Sequence, residues 1–299
     1  MRTPFASLPH QRVCSTSMQF PKEMRTFSVR SLCLNIVSVA ILFACGTASA
    51  ELAYKDIAFT ARCDGTEQHY VIGLPEGFDS GVPHDALIAL HGHGSDRWQF
   101  VKADRGECKA PRDIALERNM IFVSPDYRAP TSWMGPKAEA DMVQIIEDVR
   151  AKYTINRVFL CGGSMGATGT LTFAALHPDL IAGAAAMNGT ANHLEFENYQ
   201  EAIQASFGGT KTEIPEEYKK RSAEYWPERF TMPLAMSLSG QDTAVPPQSA
   251  LRLADVLQKM GRDVFVIYRE ELGHFTTYED TRAIIEHVIA RADTRMEGS

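Results

Sequence analysis

Arg157-Val158-Phe159-Leu160-Cys161-Gly162-Gly163-Ser164-Met165-Gly166-Ala167-Thr168-Gly169 decides how this chain folds. A strand pattern with four consecutive apolar residues, Val158–Cys161, runs into a Gly-x-Ser-x-Gly element, and a helical pattern rich in small residues follows to Leu176, where His177-Pro178 closes it. A serine on so sharp a strand-to-helix turn needs small neighbours, which Gly162 and Gly166 supply. The turn lifts the hydroxyl clear of the sheet, and the helix N-terminus behind it favours an oxyanion.

The same alternation extends outward. Toward the N-terminus, strands are expected at Ala53–Phe59, Gln68–Leu74, Ala86–Leu90 and Met120–Ser124, with a helix over Ala138–Lys152 carrying Met142, Ile145, Ile146 and Val149 at helical spacing. Toward the C-terminus, strands are expected at Ile181–Met187, Pro233–Leu238 and Asp263–Tyr268, with helices at Pro247–Met260 and Thr276–Ala290. Alternating strands and helices imply an α/β fold, a mostly parallel central sheet with helices on both faces. Asn188–Phe230 breaks the rhythm and reads as a small helical insertion over the strands' carboxyl ends.

A serine hydroxyl needs a base, and the base needs a group that fixes its tautomer. In strand–serine–helix folds of this kind the chain order is Ser, then Asp or Glu, then His. Asp242 follows the strand 233–238 and His274 the strand 263–268, so both fall in loops on the edge that carries Ser164. Glu270, Glu271 and Asp280 compete for the acid's role; among nine histidines only His274 has both the order and the loop. Met165, just after the serine, is the first expected oxyanion donor. The second comes from His91-Gly92-His93-Gly94 after the strand 86–90 and is assigned to His93, with Gly92 or Gly94 as alternatives. Two histidines two apart also suggest a metal, but in this strand-end loop they are read as the oxyanion element, and neither cofactor nor metal is expected. Tyr127, Trp133 and Asn188 are the substrate-binding candidates, with Arg128 able to bind a carboxylate or pair with Glu139 or Asp141.

From Ala86 onward the chain resembles the prolyl oligopeptidase-like, esterase-containing branch of the α/β hydrolases. The likeness rests on Leu90-His91-Gly92, Gly163-Ser164-Met165-Gly166, Ser239-Gly240-Gln241-Asp242 with Val245-Pro246, and Gly273-His274, together with Glu217-Tyr218 and Arg221-Ser222 before Pro233. It implies the α/β-hydrolase fold and the triad Ser164, Asp242, His274. It does not imply peptidase activity: the oligopeptidases' β-propeller has no room here, and their Gly-Gly pair after the nucleophile is Gly166-Ala167. A carboxylesterase is the first expectation, acting on a small-molecule or polymer ester. A serine peptidase and a non-enzymatic binding module on the same fold are the alternatives.

The N-terminus reads differently. Arg25 and Arg30, an apolar run Leu32–Ala44, and Ala48-Ser49-Ala50 form the three-part pattern of a secretory signal. The run falls short of the roughly 20 apolar residues a membrane span takes. Residues 1–50 are therefore expected to be signal peptide and leader, with Met18 or Met24 as alternative starts, and 51–299 the catalytic domain of a secreted or periplasmic protein. Cys45 after Leu42-Phe43-Ala44 also loosely resembles a lipoprotein cleavage box, in which Phe43 is out of place. Three cysteines lie past residue 50; Cys161 reads as a core thiol, while Cys63 and Cys108 could pair. A formal net charge of −7 argues against broad nucleic-acid binding.

Overall fold

The computed structural model describes residues 51–296; the expected signal peptide and the Cys45 box lie outside the described residues. Eight strands form one sheet: β1 (Ala53–Thr60), β2 (Glu67–Leu74), β3 (His84–Leu90), β4 (Ile121–Pro125), β5 (Ile155–Gly163), β6 (Gly183–Met187), β7 (Leu234–Ser239) and β8 (Val264–Arg269). Their spatial order is β1-β2-β4-β3-β5-β6-β7-β8. β2 pairs antiparallel with both β1 and β4, and every other pairing is parallel.

Successive side chains on a strand point to opposite faces, so each strand feeds two cores. Ala86, Ile88 and Leu90 of β3 join Leu160, Ala184 and Met236 on one face. There they meet α3 (Pro136–Lys152), α4 (Met165–Leu176) and α7 (Gln248–Lys259). Leu87 and Ala89 join Phe159, Cys161, Ala185 and Met187 on the other, under α1 (Gln99–Lys102), α2 (Gly106–Glu117) and α8 (Tyr278–Met296). Helix α7 shows why: Ala250, Leu253, Ala254 and Leu257 make one buried stripe at helical spacing.

The chain leaves β3 toward β4 on one side and reaches β5 on the other. The crevice at the carboxyl ends of β3 and β5 is therefore the switch point, where ligands bind in open α/β sheets. The insertion holds α5 (Gln200–Phe207), α6 (Pro215–Lys220) and two 3-10 turns. Trp226 braces it, its indole N–H donating to Lys219 O at 3.0 Å. Arg221, fully buried, ties it to the domain through Glu139 and Met134 O, both at 2.7 Å.

Candidate active site

Ser164 stands between β5 and α4 with φ 58° and ψ −121°, a strained conformation for a residue with a Cβ. Three features hold it. Its N–H donates to Met187 O at the end of β6 (2.8 Å), and its carbonyl accepts from Thr168 N at 3.0 Å to start the helix. A Cβ at 166 would overlap Leu90 O and lie 2.8 Å from His91 O, and one at 162 would overlap Gly166 O. The two glycines let the helix start sit directly on the end of β3.

Asp242 and His274 arrive on the loops after β7 and β8. These loops are bound to each other: Gly240 N–H donates to Arg269 O and Gln241 N–H to Leu272 O, each at 2.9 Å. Asp242 Oδ1 accepts the N–H groups of Ala244 (2.9 Å) and Val245 (2.8 Å), which fixes the buried carboxylate. Its Oδ2 lies 2.6 Å from His274 Nδ1, and His274 Nε2 lies 2.8 Å from Ser164 Oγ. A carboxylate only accepts, so the imidazole proton is on Nδ1 and Nε2 is left to accept from the serine hydroxyl. Of the competing acids, Asp280 is taken by Arg269 at 2.6 Å, and Glu271 only approaches Gln241 at 3.5 Å.

The loop after β3 turns between Gly92 and Ser95, whose N–H donates to Gly92 O, with Gly94 at φ 77° in the position that favours glycine. Gly92 N–H donates to Gln99 Oε1 (2.6 Å) and Gly94 N–H to Pro130 O (2.7 Å). His93 N–H has no partner among the described residues. Met165 N–H, at the first position of α4, has no carbonyl to meet within its helix. The His93 ring accepts the Trp133 indole N–H on Nδ1 (3.1 Å), so its own proton is on Nε2. Burial holds its pKa below the usual value and keeps it neutral. His91 instead is buried and held by Gly92 O and Asp126 O.

A cavity of about 240 Å³ opens beside Ser164 and His274, with His93, Tyr199, Phe275 and Asn188 in its wall. Tyr199 and Phe275 are exposed aromatics, neither of which the sequence pattern singles out. Two expected substrate contacts are corrected. Trp133 is fully buried, packed against Phe196 and Tyr199, and shapes the wall from behind. Tyr127 is buried with its hydroxyl on His91 O at 2.6 Å. Asn188 reaches the cavity, but its amide NH₂ is spent on Phe275 O (3.0 Å) and Thr276 Oγ1 (3.1 Å). It fixes the loop that carries His274. The Cys63–Cys108 pairing is also corrected: both thiols are free, Cys63 exposed beside Arg128 Nη2 (3.0 Å) and Cys108 buried. Arg128 pairs with Asp141 (2.8 Å) and Asp64 (3.1 Å), as one of its two expected roles required. Among the described residues no cluster of His, Cys, Asp and Glu is placed to hold a metal ion.

This sheet order, with a serine on a strained turn at its switch point, defines an α/β hydrolase. Residues 127–291 match the prolyl oligopeptidase family, and the chain belongs to that family of serine hydrolases. No curated protein sequence matches it. Among solved structures it is similar to the fluorophosphonate-binding serine hydrolase FphF of Staphylococcus aureus, with 19% identity and TM-score 0.64, over 80% of this chain and 99% of that one. A ferulic acid esterase from Anaeromyces mucronatus gives 18% and 0.60 over 82% and 93%. The acylaminoacyl peptidase of Pyrococcus horikoshii gives 17% and 0.60 over 83% of this chain but 41% of that one. At these identities the likeness is one of fold.

Proposed function

We propose that the protein is a carboxylesterase that works through an acyl-enzyme on Ser164. The observation that carries this is the unbroken line Asp242–His274–Ser164, bonded at 2.6 and 2.8 Å and ending at a cavity. His274 Nε2 takes the hydroxyl proton as Oγ bonds to the ester carbonyl carbon, and Asp242 stabilises the imidazolium. The carbonyl oxygen becomes an oxyanion held by the N–H groups of Met165 and His93. Such donors contribute about 3–4 kcal/mol each in the transition state. Collapse breaks the ester C–O bond, and the alcohol leaves with the proton from His274. Water, deprotonated by the same nitrogen, then attacks the acyl-enzyme and releases the acid with Ser164 restored.

A cavity of about 240 Å³ supports a small acyl or alcohol group, being less than the roughly 300–1,000 Å³ of sites for drug-sized ligands. Similarity to a ferulic acid esterase over most of both chains supports the ester reading as well. The family match keeps a serine peptidase with the same triad as the second reading. Residues 1–50 are proposed as an export leader ahead of the catalytic domain, with N-terminal sequencing of exported protein as the check; among the described residues no helix is long and apolar enough to cross a membrane.

The test combines a fluorophosphonate probe with matched short esters and amides, on wild type and Ser164→Ala. Labelling and ester turnover are expected in wild type, and both are lost in the variant. Amide turnover matching ester turnover would favour the peptidase. A wild type that neither labels nor turns over would leave the non-enzymatic module.

A further inference from the structure

The cavity beside Ser164 has a polar end that the proposed reaction does not use. It lies toward α1 and α2, where Gln99, Arg105 and Glu107 join Phe100 and Cys108 in the wall. Glu107 is close to the nucleophile: a Cβ on Gly163, the residue before Ser164, would lie 4.0 Å from Glu107 Cγ. Gln99 is close from the other side. A Cβ on Gly92 would be 3.8 Å from Gln99 Nε2 and 3.7 Å from Gly163 O.

Both side chains are half-used. Gln99 Oε1 accepts Gly92 N–H at 2.6 Å, which fixes the amide and leaves its NH₂ without a partner among the described residues. Glu107 Oε1 faces Arg105 Nε at 3.3 Å, while its Oε2 is buried with no hydrogen-bond partner among the described residues. A buried carboxylate oxygen without a donor is costly. The terminal carboxyl torsion is soft enough to turn that oxygen to the cavity. An acceptor and a donor then flank one spot, and a hydroxyl, which both donates and accepts, fits such a couple. Arg105 already offsets the Glu107 charge, which favours a neutral O–H over an ammonium group.

We infer that Glu107 and Gln99 form a subsite for a hydroxyl carried by the substrate ester, so that hydroxylated esters are preferred over their deoxy counterparts. The inference deepens the esterase reading and rests on it.

Two substrate pairs test it. 4-Nitrophenyl 3-hydroxybutanoate against the butanoate places the hydroxyl in the acyl group. Glyceryl monoacetate against propyl acetate places it in the alcohol. Wild type is expected to favour the hydroxylated member of one pair about ten- to a hundredfold in kcat/KM, the range of a hydrogen bond to a charged group. Glu107→Leu and Gln99→Glu, on separate helices, should each pull that ratio toward unity. The deoxy substrate serves as the internal reference, so loss of general activity does not move the readout. Ratios near unity in wild type, or wild-type ratios in both variants, overturn the subsite. If the fluorophosphonate labels wild type while the ratios are flat, only this inference fails. If nothing labels, the esterase reading fails and the subsite with it.

Discussion

Two of the histidine–carboxylate pairs among the described residues do different things. His274 Nδ1 lies 2.6 Å from Asp242 and His177 Nε2 lies 2.9 Å from Glu139. Asp242 is held by two backbone N–H groups, which fix its place without neutralising its charge. Glu139 also receives the fully buried Arg221 at 2.7 Å, so its charge is already matched. The free nitrogen of His274 meets a serine at a cavity, whereas the His177 ring packs against Phe173 at the end of α4. The pair alone defines no site. What counts is an unneutralised carboxylate behind the ring and a reactive group in front of it.

The largest expected effect removes the charge behind the ring. Asp242→Asn should lower kcat on a short ester by about 10⁴-fold, because the amide favours the wrong imidazole tautomer, while thermal unfolding moves little. An effect below about tenfold would make Asp242 a mere anchor like Glu139 and erase the distinction.

Glu139→Gln should do the reverse. It strands Arg221 in the interior with Glu217 as its remaining carboxylate, a loss of about 3 kcal/mol or more, or roughly 6–12 °C in Tm. Ester turnover should stay within about twofold, since no step of the chemistry uses this charge. Burial pushes the Glu139 carboxyl up, but His177 and Arg221 outweigh it and hold the pKa at about 2, against 4.5 ordinarily. A depressed carboxylate stabilises the fold above pH 4.5 and loses that contribution as pH falls through 2. The Tm gap between wild type and variant should therefore narrow on acidification.

Only the Asp242–His274 side of this contrast is an expectation from the sequence; nothing in the sequence pattern pairs His177 with Glu139. The run from Arg157 to Gly169 specifies strand, turn and helix, and chain order selects Asp242 and His274. It could not place aromatic side chains of loops. Trp133 and Tyr127 belong to a segment that packs under the insertion, and nothing local says which side of the wall a ring occupies. Nor does any pattern announce α1 and α2: Pro111 interrupts the helical signal of Gly106–Glu117, and tertiary packing of Cys108, Ile114 and Ala115 on the sheet overrides it. Glu107 and Gln99 stand on those two helices, which is why the polar end of the cavity emerges only from the fold.

A smaller effect tests what holds the ring in place. Asn188 donates to the 275–276 stretch just after His274. Asn188→Ala should lower kcat about ten- to a hundredfold, the cost of misplacing a catalytic group by about an ångström, with KM less affected. A rise in KM with kcat intact would return Asn188 to the role of a substrate contact.

The smallest effect extends the comparison along α3. Asp141, two residues from Glu139, is buried against Arg128. Here desolvation wins over the guanidinium, with Asp64 adding repulsion, and the carboxyl is pushed up to about 6. A raised carboxylate binds its proton more tightly in the folded state, so it costs stability progressively as pH rises from 3.8 to about 6. Asp141→Asn should therefore gain on wild type by a few degrees in Tm between pH 4 and pH 7, with ester turnover unmoved. The slope has the opposite sign to the loss expected of Glu139→Gln, where raising the pH widens the deficit. If both variants lost ground with rising pH, Arg128 would be matching Asp141 as fully as Arg221 matches Glu139.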